Sequence, residues 1–183
     1  MDISPDKQNI DKVFSNTQYY IDFYQREYKW TSEPVKRLLD DIFYKFNEVY
    51  QQNSSLPPCE QVIDSKYPWY YLNTYVTNTV EGKVYVVDGQ QRLTTLTLIL
   101  LNLYHKAIAN DSDLSDWIKS KICGQSGYKK TFWMRHEAHL ATLEALFHEQ
   151  TDEAPTNSGL TAENMVKNYK AIKSWLEQNI KGI

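Results

Sequence analysis

The stretch Val86-Val87-Asp88-Gly89-Gln90-Gln91-Arg92-Leu93-Thr94-Thr95 decides how the fold reads. The run KVYVV at residues 83–87 is β-branched and aromatic, which suits a strand, and it stops at Asp-Gly. Residues 93–109 then carry Leu93, Leu96, Leu98, Ile99, Leu100, Leu101 and Leu103, apolar nearly all round. A helix of that kind is buried, so it is expected at the centre of the fold. Two amides and an arginine stand where the strand hands over to the helix.

Working outward, WYYLNTYVT at residues 69–77 reads as a strand, and NTVEG at residues 78–82 has turn chemistry. Together with KVYVV they predict an antiparallel hairpin. YYIDFY at residues 19–24 predicts another strand. Thr31-Ser32-Glu33-Pro34 offers a hydroxyl cap, an acidic first turn and a proline whose missing N–H costs little there. Val35, Leu38, Leu39, Ile42, Phe46, Val49 and Tyr50 follow at helical spacing, so a helix is expected to about residue 52. Residues 53–68 are rich in proline and serine and read as a loop. After the central helix, helices are expected over residues 111–122, 135–150 and 161–180, with a loop at residues 123–131. The fold class read from this order is α+β: a small mixed sheet with packed helices over residues 1–110, then a helical extension over residues 111–183.

The 183 residues can bury a real core. A net charge of -3 argues against a domain devoted to gripping a phosphate backbone, so any nucleic-acid contact needs a local patch. Cys59 and Cys123 form neither a CxxC nor a zinc pattern, which points to a reducing, cytoplasmic setting. The first twenty residues have no apolar h-region, and no apolar run is long enough to span a bilayer.

The handover supports two readings. Asp88 followed by Gln91 fits a capping box, with Gly89 permitting a tight turn. The same geometry suits an anion site. Helix N-termini attract anions, Gly89 lets a phosphate approach, and Arg92 in the first turn is misplaced unless an anion joins it. Gln90 and Gln91 can bond a base, a ribose or a water, and Asp88 can hold Mg²⁺. No lysine follows in a GxxxxGK[ST] pattern, so this is not a P-loop. FYQREYKW at residues 23–30 repeats Gln-Arg at a strand end, which predicts that Gln25 and Arg26 converge with residues 90–92 on one pocket. Weaker signals are a basic stretch from Lys119 to His136 with interleaved aromatics, the pair Asp40-Asp41, and His136 with His139 on one helix face.

FYQREYKW, LLDDI at residues 38–42, YYLNTYV at residues 70–76 and VVDGQQRLTTL at residues 86–96 resemble, in order and spacing, the N-terminal domain of GmrSD-type modification-dependent restriction enzymes, of the ParB/sulfiredoxin-like superfamily. The resemblance implies an antiphage protein whose domain binds and hydrolyses a nucleoside triphosphate with Mg²⁺. It implies Asp88, Gln91 and Arg92 as catalytic residues, Gln25, Arg26, Gly89 and Gln90 as nucleotide-binding residues, and Asp88 as metal ligand. It also implies further helices and a C-terminal HNH-type nuclease domain that cuts DNA. Neither is in this sequence, so the chain reads as a fragment. Leu72-Asn73 stands where the family usually has Leu-Gly, and the larger side chain is expected to narrow a backbone approach there. Two other readings stay open: a non-enzymatic DNA-sensing module, and a metal-dependent nicking domain using Asp88 with Asp40 or Asp41. The sequence leaves oligomerisation open.

Overall fold

Glu81 and Gly82 take φ of 50° and 77°, and Val80 pairs directly with Lys83. Two successive left-handed residues make the tight two-residue connection whose twist matches a hairpin. The turn is therefore shorter than the sequence suggested, and residues 78–80 belong to the strand. This hairpin belongs to a computed structural model that describes residues 4–21, 26–57, 59–126 and 128–180.

In chain order the elements are α1 (Ile10–Val13), β1 (Tyr19–Tyr20), α2 (Ser32–Asn53), α3 (Glu60–Lys66), β2 (Val76–Val80), β3 (Lys83–Asp88), α4 (Gln90–Ala109), α5 (Leu114–Ile122), β4 (Cys123–Ser126), β5 (Lys129–Phe132), β6 (Met134–Arg135), α6 (Leu140–Phe147) and α7 (Leu160–Asn179). A 3-10 turn at Glu137–His139 precedes α6. One sheet has the order β2-β3-β1-β6, with β1 parallel to both β3 and β6 and β2 antiparallel to β3. The fold is thus α+β, a small mixed sheet with packed helices. The sheet draws β6 from beyond residue 110, and α7 packs against both α4 and α2.

The core follows the apolar pattern. Leu93, Leu96, Leu98, Leu100 and Leu101 of α4 are buried, and so are Met165, Tyr169, Ile172, Trp175 and Leu176 of α7. Trp175 joins α7 to α2 twice, through an edge-to-face contact with Phe43 at 5.3 Å and an indole N–H donated to Asp40 Oδ1 at 2.7 Å. Asp40, read as a solvated carboxylate or a metal ligand, is a packing acceptor.

Several elements differ from expectation for local reasons. Residues 69–75 are not a strand. Asn73 has φ of 76°, which breaks the pleat, and its Oδ1 accepts from Thr74 N at 2.8 Å. Asparagine tolerates this left-handed region better than most residues with a side chain. The β1 strand is only Tyr19–Tyr20, and residues 22–25 lie outside the described residues. The loop at residues 53–68 contains α3, too short for a helical period to show. Within this stretch β4 and β5 pair antiparallel, and a Cβ on Gly124 would meet the Trp133 ring at 2.4 Å. Residues 135–150 are a strand end, a 3-10 turn and α6, so His136 and His139 do not share a helix face. Cys59 and Cys123 are both free thiols.

Candidate functional site: the start of the central helix

The strand β3 ends at Asp88 and α4 begins at Gln90, with Gly89 as the residue between. Gly89 has φ of 89°, and a Cβ there would sit 2.6 Å from Tyr75 Cβ and 3.0 Å from Tyr75 Cα. Glycine is required by the chain's own crossing at Tyr75 as well as by the left-handed turn. No side chain caps α4, and its first turn holds no acidic residue. The capping box read from Asp88 and Gln91 is therefore not formed: Asp88 is still in the strand, and Gln91 is engaged elsewhere. The α4 N-terminus keeps its partial positive charge and its unpaired N–H groups.

Gln91 holds the segment 27–30. Its Oε1 accepts from Lys29 N at 2.7 Å and from Trp30 N at 3.1 Å, and its Nε2 donates to Glu27 O at 2.8 Å. From the other side, Thr161 Oγ1 accepts from Tyr28 N at 3.0 Å, and Asn164 Nδ2 donates to Tyr28 O at 2.8 Å. Asn168 Nδ2 donates to Trp30 O at 2.7 Å. The Tyr28 ring is fully buried, with its hydroxyl 2.8 Å from Thr95 Oγ1. An irregular segment between two helices has no ladder to satisfy its backbone, so these side chains replace one. A primary amide accepts from N–H donors through its oxygen and donates to a carbonyl through its nitrogen, which suits a glutamine at 91.

Two clefts flank this turn. One, of about 410 Å³, is lined among others by Arg26, Glu27, Lys83, Gln90 and His139. The other, of about 370 Å³, lies between α2 and residues 70–73 and includes Trp30, Asp41, Tyr70 and Arg92. The predicted convergence therefore holds for Arg26 and Gln90. Arg92 faces the opposite cleft and donates to Thr74 O at 3.3 Å. Gln25 lies outside the described residues. The model for the family described as GmrSD restriction endonuclease, N-terminal domain, matches residues 10–182. The chain belongs to that family. It is a module of the restriction-enzyme type, and a comparison with curated proteins finds no match.

Within this GmrSD N-terminal domain, Asp88 is exposed at the end of β3 and lines neither cleft. Among the described residues no three His, Cys, Asp or Glu side chains converge as a metal cage. No helix among them is long and apolar enough to cross a membrane. The basic stretch from Lys119 to His136 is partly structural. Lys121 Nζ lies 2.5 Å from Asp11 Oδ1, and Lys130 Nζ sits 3.2 Å above the Phe147 ring.

Sequence reasoning missed Lys83, Glu27 and His139 as cleft residues, since the hairpin, the Gln91 bond to Glu27 O and the 3-10 turn bring them beside Gln90. His136 is fully buried at the floor, with Nε2 2.9 Å from Thr94 Oγ1. Burial, assisted by His139, pushes it down to about 3 from its usual 6.5. The unfolded chain thus binds one more proton than the folded chain between those values. Stability from this group is complete above about pH 6.5 and is expected to fall as pH drops, with a slope of up to about 1.4 kcal/mol per pH unit. Urea unfolding across pH 4–7 checks this by order of magnitude. If His136→Gln keeps the same slope as the parent, another group is responsible.

Proposed function

We propose that this domain binds a nucleoside triphosphate and hydrolyses it to regulate DNA restriction. The observation that carries the reading is the open N-terminus of α4, with no cap and no acid in its first turn, whose Gln90 lines a cleft with Arg26 and Lys83. Two cations and a helix start select polyanions, and an arginine can hold phosphate bidentately. The cleft volume of about 410 Å³ falls within the range of roughly 300–1,000 Å³ typical of small-molecule pockets. Gln90 is placed to bond a phosphate oxygen or the attacking water.

Mg²⁺ bound with the triphosphate would neutralise charge on the phosphoryl group being transferred to water. Mg²⁺ takes one or two carboxylates when phosphates supply further oxygens. Glu27 is the carboxylate at the cleft that suits this, since Glu137 is tied to Arg135 Nε at 2.7 Å. In the full restriction enzyme the domain would gate a DNA-cutting HNH-type partner domain.

Calorimetric titration with a panel of nucleoside triphosphates, with and without Mg²⁺, tests the reading. Arg26→Ala and Lys83→Ala are each expected to weaken binding about tenfold, in line with loss of one charge-assisted contact of roughly 1.5–3 kcal/mol. Phosphate release should fall with them. If Arg92→Ala alone removes binding, the phosphates lie on the other side of the same turn and this placement is wrong.

A further inference from the structure

Among the described residues the main sheet has two edges, and they are built differently. One is β6, only Met134–Arg135, with Met134 buried and Arg135 Nε donating to Glu137 Oε1 at 2.7 Å. Shortness and charge are the usual means of keeping an edge from pairing with another chain. The other edge is β2, Val76–Val80, which reads VTNTV. It is exposed along its whole length and carries neither a charge nor a proline. Val76 is 49% exposed and Val80 47%. Its valines and threonines are β-branched, so the strand is stiff and suited to pairing. Nothing in its sequence guards it.

The turn sets which backbone groups face outward. Glu81 and Gly82 close the hairpin in two left-handed residues, so Val80 and Lys83 form a hydrogen-bonded pair. Bonded and open pairs alternate along an antiparallel ladder, so Asn78 also turns its N–H and C=O to β3, and those of Thr77 and Thr79 point away from it. The register shift with β3 lies between Val76 and Thr77, so residues 77–80 run regularly. VTNTV reads the same in both directions about Asn78. Two copies paired antiparallel through a twofold axis at Asn78 therefore set Thr77 opposite Thr79 and Val76 opposite Val80, twice each. The threonine pairs are the ones with outward N–H and C=O groups, so they supply the backbone bonds of the seam. Matched β-branched pairs add side-chain contact on both faces. Charge is complementary too. Lys83 lies beside Val80 and Asp88 beside Val76. Each row of the joined sheet would run from Lys83 and Val80 of one copy to Val76 and Asp88 of the other, with opposite signs at its ends.

We propose that β2 pairs antiparallel with β2 of a second copy of this chain, centred on Asn78, and joins two four-stranded sheets into one. The pairing uses the same edge in both copies, so association stops at the dimer. Directly opposed residues of an antiparallel pair point to one face. Val80 stands opposite Lys83, and Lys83 and Tyr85 line the Arg26 cleft, so both Arg26 clefts open on the same side of the joined sheet. A five-residue edge is small beside the ~1,600 Å² of a standard interface, so the dimer is expected to form at micromolar protein or above. The inference does not rest on triphosphate binding in the Arg26 cleft.

Sedimentation of the whole chain from micromolar to millimolar protein tests this, with Asn78→Lys, Asn78→Asp and Thr79→Pro alongside. The parent is expected to pass from monomer to dimer and no further. Asn78→Lys and Asn78→Asp each set like charges face to face at the axis, and each should weaken the dimer about tenfold. An equal mixture of the two should restore it, because an ammonium then meets a carboxylate. Thr79→Pro removes an outward N–H, which an edge strand tolerates, and should abolish the dimer while the urea midpoint stays near that of the parent. If the proline unfolds the chain, the two Asn78 variants still decide, since that side chain is exposed. A parent that stays monomeric at millimolar protein overturns the proposal and leaves the edge to an extended segment of another protein. A dimer that ignores the Asn78 variants overturns it, and so does a mixture no tighter than either variant alone. Assembly beyond the dimer overturns the twofold pairing.

Discussion

Gly89→Ala is expected to lower folding stability by about 3 kcal/mol, from two causes that act at one atom. The backbone sits at φ of 89°, where an L side chain is strained, and the new Cβ would lie 2.6 Å from Tyr75 Cβ and 3.0 Å from its Cα. The second contact is with backbone, so no rotamer change relieves it. Either α4 shifts from β3 or residues 74–75 move away from the sheet, and both open the turn on which the two clefts depend. Urea unfolding gives the loss directly. Tyr75→Gly in the same chain separates the causes. It removes one of the two colliding atoms, so part of the penalty should vanish, while the strain of the left-handed turn persists. Tyr75→Gly has its own cost, because its ring meets Tyr19 edge-on at 6.0 Å, so the coupling between the two changes is the quantity to read. A Gly89→Ala loss under about 1 kcal/mol would show that the crossing opens easily and that glycine serves only the turn.

Long apolar periodicity carried most of what could be read from the sequence. The helices α2, α4 and α7 and the strand β3 all followed from spacing, because a helix or strand tends to bury one face, although of the α2 stripe only Val35 and Leu39 are buried and Phe46 and Tyr50 are exposed. What escaped were features set by a single residue meeting a distant one. Asn73 ends the pleat at residues 69–75, and Gly124 lets β4 pair with β5 under Trp133, and neither contact is visible in local composition. The handover was legible as a special place but not in its division of labour. Gln90 and Arg92 are two residues apart on one helix, so they face nearly opposite ways. A motif read as one pocket therefore serves two clefts, with Gln91 between them turned to the protein itself. Lys83 joined Arg26 and Gln90 only through the register Tyr19↔Val84 and Tyr20↔Tyr85, which places the start of β3 beside β1.

Gln91→Met is expected to reduce stability by about 2 kcal/mol and to weaken nucleotide binding in the same variant. Methionine keeps the length and the apolar stem but offers neither donor nor strong acceptor. Three hydrogen bonds to Glu27 O, Lys29 N and Trp30 N are lost. Each is worth about 1 kcal/mol net, and water recovers part of that at the exposed Glu27 and Lys29. The segment would then hang from α7, through Thr161, Asn164 and Asn168, and from the Tyr28 hydroxyl on Thr95 of α4. Arg26 precedes the clamp and Trp30 ends it, so both clefts lose a wall that is held in place. Gln91→Glu sharpens the test. A carboxylate still accepts from Lys29 N and Trp30 N, but it cannot donate to Glu27 O and instead faces it with like partial charge. Its loss should be of similar size, because one repulsion offsets two retained bonds. If Gln91 instead contacts the nucleotide, Gln91→Met would weaken binding while the unfolding midpoint stays where it was. A paired loss of stability and affinity identifies Gln91 as the residue that positions Arg26, and makes the amide of the handover a structural answer to a functional demand.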